Sequence, residues 1–397
     1  MNKRIVFLQP HLTLAVGSTI LLMEICKRMA QKGWDVSVVS SRSDLAITAN
    51  AREAGVRFVD VGGPISSSIW FWLFFPFIYR NVQRAIRRIG ADIVVSGAFP
   101  AVWWGWLYKY FNRSAYHVFY CFEPSAFIYN PDWTKSVKPF YMRWGLGLFK
   151  PLLRFIEKQL YPYTDYTVAI SDFTRQELLR VYPATDKASL SRIYCGISHD
   201  VFYDPQLERL PQIVIMGTLT KFKNADWVIR ALSLLKQDPQ FQQVTLVIKG
   251  KGEEKENLLQ LAEELGVQDS VSIIDTYFSN GQLRNLLGTS RVVVHAAHNE
   301  AFGLAPVEAM ACGTPAVVTG SGGTGETVVN GVSGLYFTPG DIADLAQQLK
   351  KLLSDNNYWR TLSAGAIARA NEFSWDKNTN DFCELLLERT STKSYRL

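Results

Sequence analysis

The densest chemistry of this 397-residue chain lies in one stretch, residues 292–334, VVVHAAHNEAFGLAPVEAMACGTPAVVTGSGGTGETVVNGVSG. A β-branched run ends at His295, Glu300 follows in a predicted loop, Gly303 lets the chain turn tightly, and Glu308 falls one turn into a helix that opens near Pro306. Two carboxylates eight residues apart, one on a loop and one on a helix, suit two hydroxyl-rich groups, because a carboxylate accepts paired hydrogen bonds from a diol. The N–H groups of Phe302, Gly303 and Leu304 would face an anion between them. An ordinary acidic residue at a helix start is the competing reading of Glu308.

Two further turns could take part. GTLTKFKNADWVIRAL, from residue 217, sets Lys221 and Lys223 before a helix, where a lysine can neutralise a diphosphate; solvated loop lysines are the alternative. Gly17-Ser18 opens an amphipathic helix with apolar residues at 21, 22, 25, 26 and 29, and a glycine there permits close backbone approach to a phosphate or sugar, or simply starts the helix. The turn is not GxGxxG and lacks the Lys-Ser/Thr of a P-loop, which weakens nicotinamide-dinucleotide and ATP-motor readings.

The elements that must position these turns follow from hydrophobic periodicity. Short β-branched runs alternate with helix-period segments, the pattern of βαβ units and a parallel sheet. Strands are predicted at 5–8, 36–40, 93–96, 117–120, 167–170 and 192–194, then at 213–216, 245–249, 271–274, 292–295, 316–318 and 335–337. Two sets of six predict an α/β protein of two doubly wound, Rossmann-like domains, with ligands beyond the carboxyl ends of the strands and a cleft between the domains. The expected bounds are 1–205, 206–375 and a terminal helix or tail at 376–397. The first boundary is drawn in DVFYDPQLERLPQ, where Pro205 and Pro211 bracket a polar stretch.

Composition narrows the class. With 48% hydrophobic and 20% charged residues the chain is neither disordered nor low-complexity. Residues 1–205 carry 24 Lys and Arg against 15 Asp and Glu (+9), the remainder 18 against 21 (−3), and eight of the 11 Trp lie in the first part. A basic, Trp-rich half invites a membrane or anionic ligand; no zinc-finger, RNA-recognition or basic-heptad pattern supports nucleic acid. Five scattered cysteines with no Cys-x-x-Cys suggest neither disulfides nor zinc, and fit a reducing, cytoplasmic setting. The apolar run 69–79, IWFWLFFPFIY, is 11 residues long with a proline, against about 20 needed to cross a bilayer, and the start of the chain reads as a strand rather than a leader. That run contains Trp70 and Trp72 and leads into Arg80, Arg84, Arg87 and Arg88, which share one helical face; Lys150, Arg154 and Lys158 repeat the pattern in FKPLLRFIEKQL. Such segments are those of interfacial helices on an anionic membrane, against the alternative of core aromatics and a solvated basic face.

NEAFGLAPVEAMACGTP resembles the Glu-x7-Glu signature of retaining glycosyltransferases of family 4, which have the GT-B fold, and GGTGETVVNGVSGLYFTPGD continues the resemblance. It extends through the early glycine loop, ISDFTRQELLRVYP near 170, RIYCGISHDVF near 192, MGTLTKFKN near 216 and FSW near 373. The resemblance implies metal-independent transfer of a sugar, with no cofactor, from a nucleoside diphosphate sugar, UDP- or GDP-linked, bound by the second domain, to an acceptor bound mainly by the first. Glu308 would hold the ribose, Glu300 the donor-sugar hydroxyls, Phe302, Gly303 and Leu304 the sugar and phosphate, and Lys223 the diphosphate. Gly17 would approach the donor from the first domain, and Lys251-Gly252 or Thr276-Tyr277 would flank the base. No Asp-x-Asp occurs in the chain, in keeping with a mechanism without metal.

Two positions depart from the family. Thr218 stands where an arginine is usual, leaving Lys221 to supply the charge, and Phe122, in FYCFEPSAFIYN, stands where related sequences have histidine. His117, Glu123 or Tyr120 would have to compensate for Phe122, although a strand histidine is more often a satisfied core residue. These features point to a peripheral enzyme glycosylating a lipid-linked or cell-surface-glycan acceptor. A nucleotide-sugar-binding subunit that has lost catalysis and a GT-B epimerase are the competing functions.

Overall fold

The structure, a computed structural model, describes residues 3–13, 17–64, 74–97, 99–129 and 140–393. Residues 1–195 with 375–397 form one unit and residues 196–374 a second. Each is built on an all-parallel sheet whose interior strands are buried, the state that near-continuous apolar runs require.

In the first unit the strands are β1 (Arg4–Leu8), β2 (Asp35–Ser40), β3 (Arg57–Asp60), β4 (Ile93–Ser96), β5 (Tyr116–Cys121), β6 (Tyr166–Ala169) and β7 (Leu190–Arg192), in the order β3-β2-β1-β4-β5-β6-β7. The seventh was unexpected: β3, RFVD, is a four-residue edge strand with no fully buried position, so its apolar signal is weak. In the second unit β8 (Leu210–Met216), β9 (Thr245–Lys249), β10 (Val271–Ile274), β11 (Ser290–His295), β12 (Ala316–Val318) and β13 (Gly334–Tyr336) pair in the order β10-β9-β8-β11-β12-β13. Central strands β1 and β11 are almost wholly buried, with Ile5, Val6, Val292 and Val293 at 0% exposure.

The units divide at 195/196 rather than at 205/206. The polar stretch around Pro205 is docked on the second unit: a Cβ at Gly288 would lie 2.2 Å from the Pro205 ring, and Arg209 donates to Asp204, the Cys312 carbonyl and Thr314. The helix Trp375–Lys393 belongs to the first unit, where Phe382 is fully buried against Phe7 and Tyr120 and Asn378 donates to the Tyr120 hydroxyl and the Tyr194 carbonyl.

Candidate active site

In the second unit the strand order reverses between β8 and β11, so a crevice opens beyond their carboxyl ends. Both chemistry-bearing turns of this unit leave from those two strands. Lys223 Nζ donates to Glu300 Oε2 at 2.6 Å, and His295 Nε2 lies 3.5 Å from the same oxygen. Burial alone would raise the Glu300 carboxyl, but the adjacent lysine and histidine outweigh it and hold it well below the usual carboxylate range. Burial lowers His295, and the neighbouring Glu300 works against that shift.

Backbone constraints hold this pair. Asn224 sits in the left-handed region at φ 48°, opens the helix Ala225–Leu235, and donates from Nδ2 to the Ala296 carbonyl at 3.0 Å, tying one turn to the other. Beneath the Glu300 loop, Gly323 donates its N–H to the Glu300 carbonyl at 2.7 Å. A Cβ at Gly323 would lie 2.3 Å from the Ala301 carbonyl oxygen, so only glycine lets the two loops meet. Ser321 accepts from the Asn299 N–H at 3.1 Å and completes the contact. Sequence patterning singles out none of Asn224, Ser321 and Gly323; the glycine-rich run GSGGTG after β12 is the visible signal for the last two.

Glu308 differs from Glu300. It lies half-buried on the helix Leu304–Ala311, and among the described residues no donor reaches its carboxylate. Burial without a partner pushes it up to about 7. Gly303 precedes that helix at φ 89°, with no side chain capping the helix start. Phe302 turns its ring inward against Phe373, centroids 5.7 Å apart, which leaves its main chain as the part of use to a ligand.

The remaining donor-side residues are on the same unit. Thr218 and Lys251 are exposed, and Tyr277 is 89% exposed. Gly252 has a packing role, since a Cβ there would lie 2.2 Å from the Leu219 carbonyl oxygen. A pocket of about 470 Å³ between the helices Ala225–Leu235 and Lys255–Glu264 shares Lys221 and Asn224 with this region but contains none of Lys223, Glu300 and Glu308.

In the first unit Gly17 is exposed at the start of the helix Gly17–Gln31, and a side chain there would meet open space. The expectation of a catalytic His117 is overturned. Its ring is fully buried, Nε2 is 2.7 Å from Ser96 Oγ and Nδ1 is 3.1 Å from the Tyr163 carbonyl, so both nitrogens are engaged and neither can reach a substrate. Burial pushes it down to about 4. Tyr120 is also buried, which leaves Glu123, exposed on the turn after β5, as the accessible one of the three proposed substitutes.

Arg80, Arg84, Arg87 and Arg88 are all exposed on the helix Phe75–Ile89, opposite its buried Ile78, Val82 and Ile86. Trp70 and Trp72 lie outside the described residues. The aromatic surplus has two fates. Trp103, Trp104 and Trp106 are ordinary core, whereas Phe77 at 66% and Phe155 at 61% stand exposed. No helix among the described residues is long and apolar enough to cross a membrane.

Comparisons with known proteins agree with this architecture. Residues 204–369 match the family model for glycosyl transferases group 1, and residues 16–201 that for glycosyltransferase family 4. A D-inositol 3-phosphate glycosyltransferase of Salinispora arenicola is 35% identical over 185 residues, 45% of this chain and 41% of that protein. The O-antigen chain mannosyltransferase B of Escherichia coli is 28% identical over 246 residues, 58% of this chain and 63% of that one. The chain spans about half the length of the curated relatives it matches. Among solved structures, Anabaena HepE in complex with UDP and glucose superposes with a TM-score of 0.77 at 19% identity, covering 97% of this chain and 99% of that one. Two family models that between them take in both sheets, and a structural likeness over nearly the whole length, lead to one assignment: the chain belongs to glycosyltransferase family 4 and has the GT-B fold.

Proposed function

We propose that this chain is a retaining, metal-independent glycosyltransferase that moves a sugar from a UDP- or GDP-linked donor to a hydroxyl of a lipid-linked or cell-surface-glycan acceptor. The observations that carry the reading lie in the turns after β8 and β11: Lys223 paired with Glu300 and, eight residues further along the chain, an unpartnered Glu308 on a helix whose start has no side-chain cap. A nucleoside diphosphate sugar offers a partner to each of these groups. The ribose diol brings two donors to Glu308, the sugar hydroxyls bring donors to Glu300, and the diphosphate brings an anion to Lys223 and the N–H groups beginning the helix Leu304–Ala311. Lys251, Gly252 and Tyr277 would border the base.

In the reaction the bond between the sugar C1 and the diphosphate oxygen breaks, and its electron pair leaves with the diphosphate. The acceptor oxygen bonds to C1 on the same face, and its proton passes to the departing diphosphate. Lys223 and the helix start stabilise the leaving charge in the role a metal ion would otherwise fill. HepE, solved with UDP and glucose, and the mannosyltransferase named for an O-antigen chain support the donor and acceptor classes respectively.

The acceptor side is read from the first unit's surface. On the helix Phe140–Leu160, Leu148, Phe149, Leu152 and Phe155 are exposed with the basic Arg154 and Lys158 among them; Phe77 and the four arginines repeat that chemistry on the helix Phe75–Ile89. Apolar rings entering the headgroup boundary beside phosphate-binding cations describe a peripheral protein on the cytoplasmic face of a membrane.

Titration calorimetry with UDP, GDP and their sugars tests the donor site. A true ligand at 100 times its dissociation constant also stabilises the fold by about 2.7 kcal/mol. Glu308→Ala is expected to weaken binding by about 2 kcal/mol, roughly thirtyfold; unchanged affinity would overturn the site assignment. A second reading, a nucleotide-sugar-binding subunit without transfer, gains from the burial of His117 and Tyr120 next to an apolar Phe122. Binding without turnover in the presence of glycan and lipid-linked acceptors would favour it, and turnover of donor alone would favour an epimerase or hydrolase.

A further inference from the structure

Glu157 is the one acidic side chain that is fully buried among the described residues, and no cation is paired with it. Its two oxygens instead collect three donors from three separate elements. Oε1 accepts from Trp103 Nε1 at 2.9 Å and from Ser125 Oγ at 2.5 Å; Oε2 accepts from the Tyr182 hydroxyl at 2.9 Å. Trp103 lies on the helix Ala101–Phe111, Tyr182 follows the helix Asp172–Val181, and Ser125 lies in the segment after β5 that begins at Phe122 and Glu123. Burial raises the carboxyl, and Ser125, Trp103, Tyr182 and the nearby Tyr129 hydroxyl draw it back. One turn earlier on the same helix, Arg154 donates from Nη2 to the Ile128 carbonyl at 3.2 Å and lies 5.6 Å from the centre of the Tyr129 ring. The helix Phe140–Leu160 therefore grips residues 125–129 at three points.

A buried carboxylate is costly to keep, and an apolar residue of similar volume would serve a core that only needed filling. We propose that Glu157 and Arg154 are positioning residues that clamp the Phe122–Tyr129 segment and so set the place of Glu123 toward the acceptor. This rests on the reading that the first unit receives the acceptor.

Trp103→Phe and Ser125→Ala each remove one donor from the same oxygen, but only Ser125 belongs to the segment. Glu157→Met removes all three acceptor contacts at similar volume. Glu157→Gln can keep them, its oxygen accepting from Trp103 and Ser125 and its amide donating to the Tyr182 oxygen. Hydrogen–deuterium exchange on the intact chain reads the clamp directly. Ser125→Ala and Glu157→Met are expected to speed exchange of amides 122–129 by about tenfold, the scale of one lost hydrogen bond, while Trp103→Phe and Glu157→Gln leave it within about twofold. With a detergent-dispersed, short-chain polyprenyl diphosphate sugar as acceptor, the acceptor KM should rise by the same factor, with kcat and nucleotide affinity unchanged. If Glu157→Met does not fold, Ser125→Ala against Trp103→Phe still decides. Equal effects of those two, or no change in segment exchange from Ser125→Ala, would overturn the proposal. A wild-type chain that binds neither UDP nor GDP would instead sink the transferase reading and leave the exchange result standing.

Discussion

Burial pushes up two glutamates in this molecule, one in each unit, and their surroundings are opposite. Glu157 in the first unit has three donors from three elements on its two oxygens. Glu308 in the second has none among the described residues, on a helix start with no side-chain cap, and reaches about 7. The same contrast separates the histidines: His117 has both ring nitrogens engaged inside the first sheet, whereas His295 stands 3.5 Å from Glu300 at the carboxyl end of β11. A raised or lowered pKa therefore does not by itself mark a site. What marks it is a polar group whose missing partners a ligand could supply, at the end of a sheet where a ligand can reach.

The largest expected effect breaks the comparison at its backbone. Gly323→Ala places a Cβ 2.3 Å from the Ala301 carbonyl oxygen, so it should destabilise the second unit by about 2–3 kcal/mol and abolish nucleotide binding. Gly17→Ala meets open space and should change stability by less than about 0.5 kcal/mol. Denaturant titrations of both variants test this; equal losses would show that the two glycine turns are constrained alike. Next in size is His117→Gln, which leaves the Ser96 and Tyr163 groups poorly matched. It should cost about 1–3 kcal/mol of stability without changing nucleotide affinity. A loss of turnover at unchanged melting temperature would return His117 to the candidate site.

The pH dependence sharpens the contrast. Glu308, raised to about 7, contributes stability that is complete below its ordinary 4.5 and is lost as pH rises through 7. His117, lowered to about 4, contributes stability that is complete above its ordinary 6.5 and is lost as pH falls toward 4. Between pH 4.5 and 6.5 the two act in opposite directions. On the proposed role of Glu308 at the ribose, nucleotide-sugar affinity should follow this group, because an ionised carboxylate can accept from both ribose hydroxyls. Calorimetry should find it about tenfold weaker at pH 6 than at pH 8, and Glu308→Gln should flatten the profile.

The smallest effect concerns the first unit's surface. Replacing Arg84 alone with Gln should weaken flotation with vesicles containing phosphatidylglycerol by about 1 kcal/mol, and leave nucleotide affinity alone. Unchanged partition would remove the membrane from the acceptor reading.

Much of this was readable along the chain. The β-branched runs located both sheets apart from β7, which lies at 190–192 rather than 192–194, and β3, whose RFVD offers no buried position for periodicity to detect. Glu300, Glu308 and Gly303 were legible together because one strand–loop–helix unit fixes them within a few residues of each other. The partner of Glu300 was not: Lys223 is distant in sequence and becomes adjacent because β8 and β11 are neighbours in the sheet. Pro205 and Pro211 looked like a linker because polar and proline-rich segments often are one, and Arg209 shows that such a segment can equally be anchored.

Sequence by itself determined the class of fold and the kinds of chemistry available, since period-2 and period-3.6 patterning and the glycine turns act over short distances in the chain. Tertiary structure alone decided which polar groups are spent inside a core and which remain for a ligand. His117, Glu157 and Glu308 are each a titratable residue in an apolar neighbourhood when read along the chain. Their difference lies in donors and acceptors brought from elements far apart in sequence, and that pairing exists only once strand order has been set.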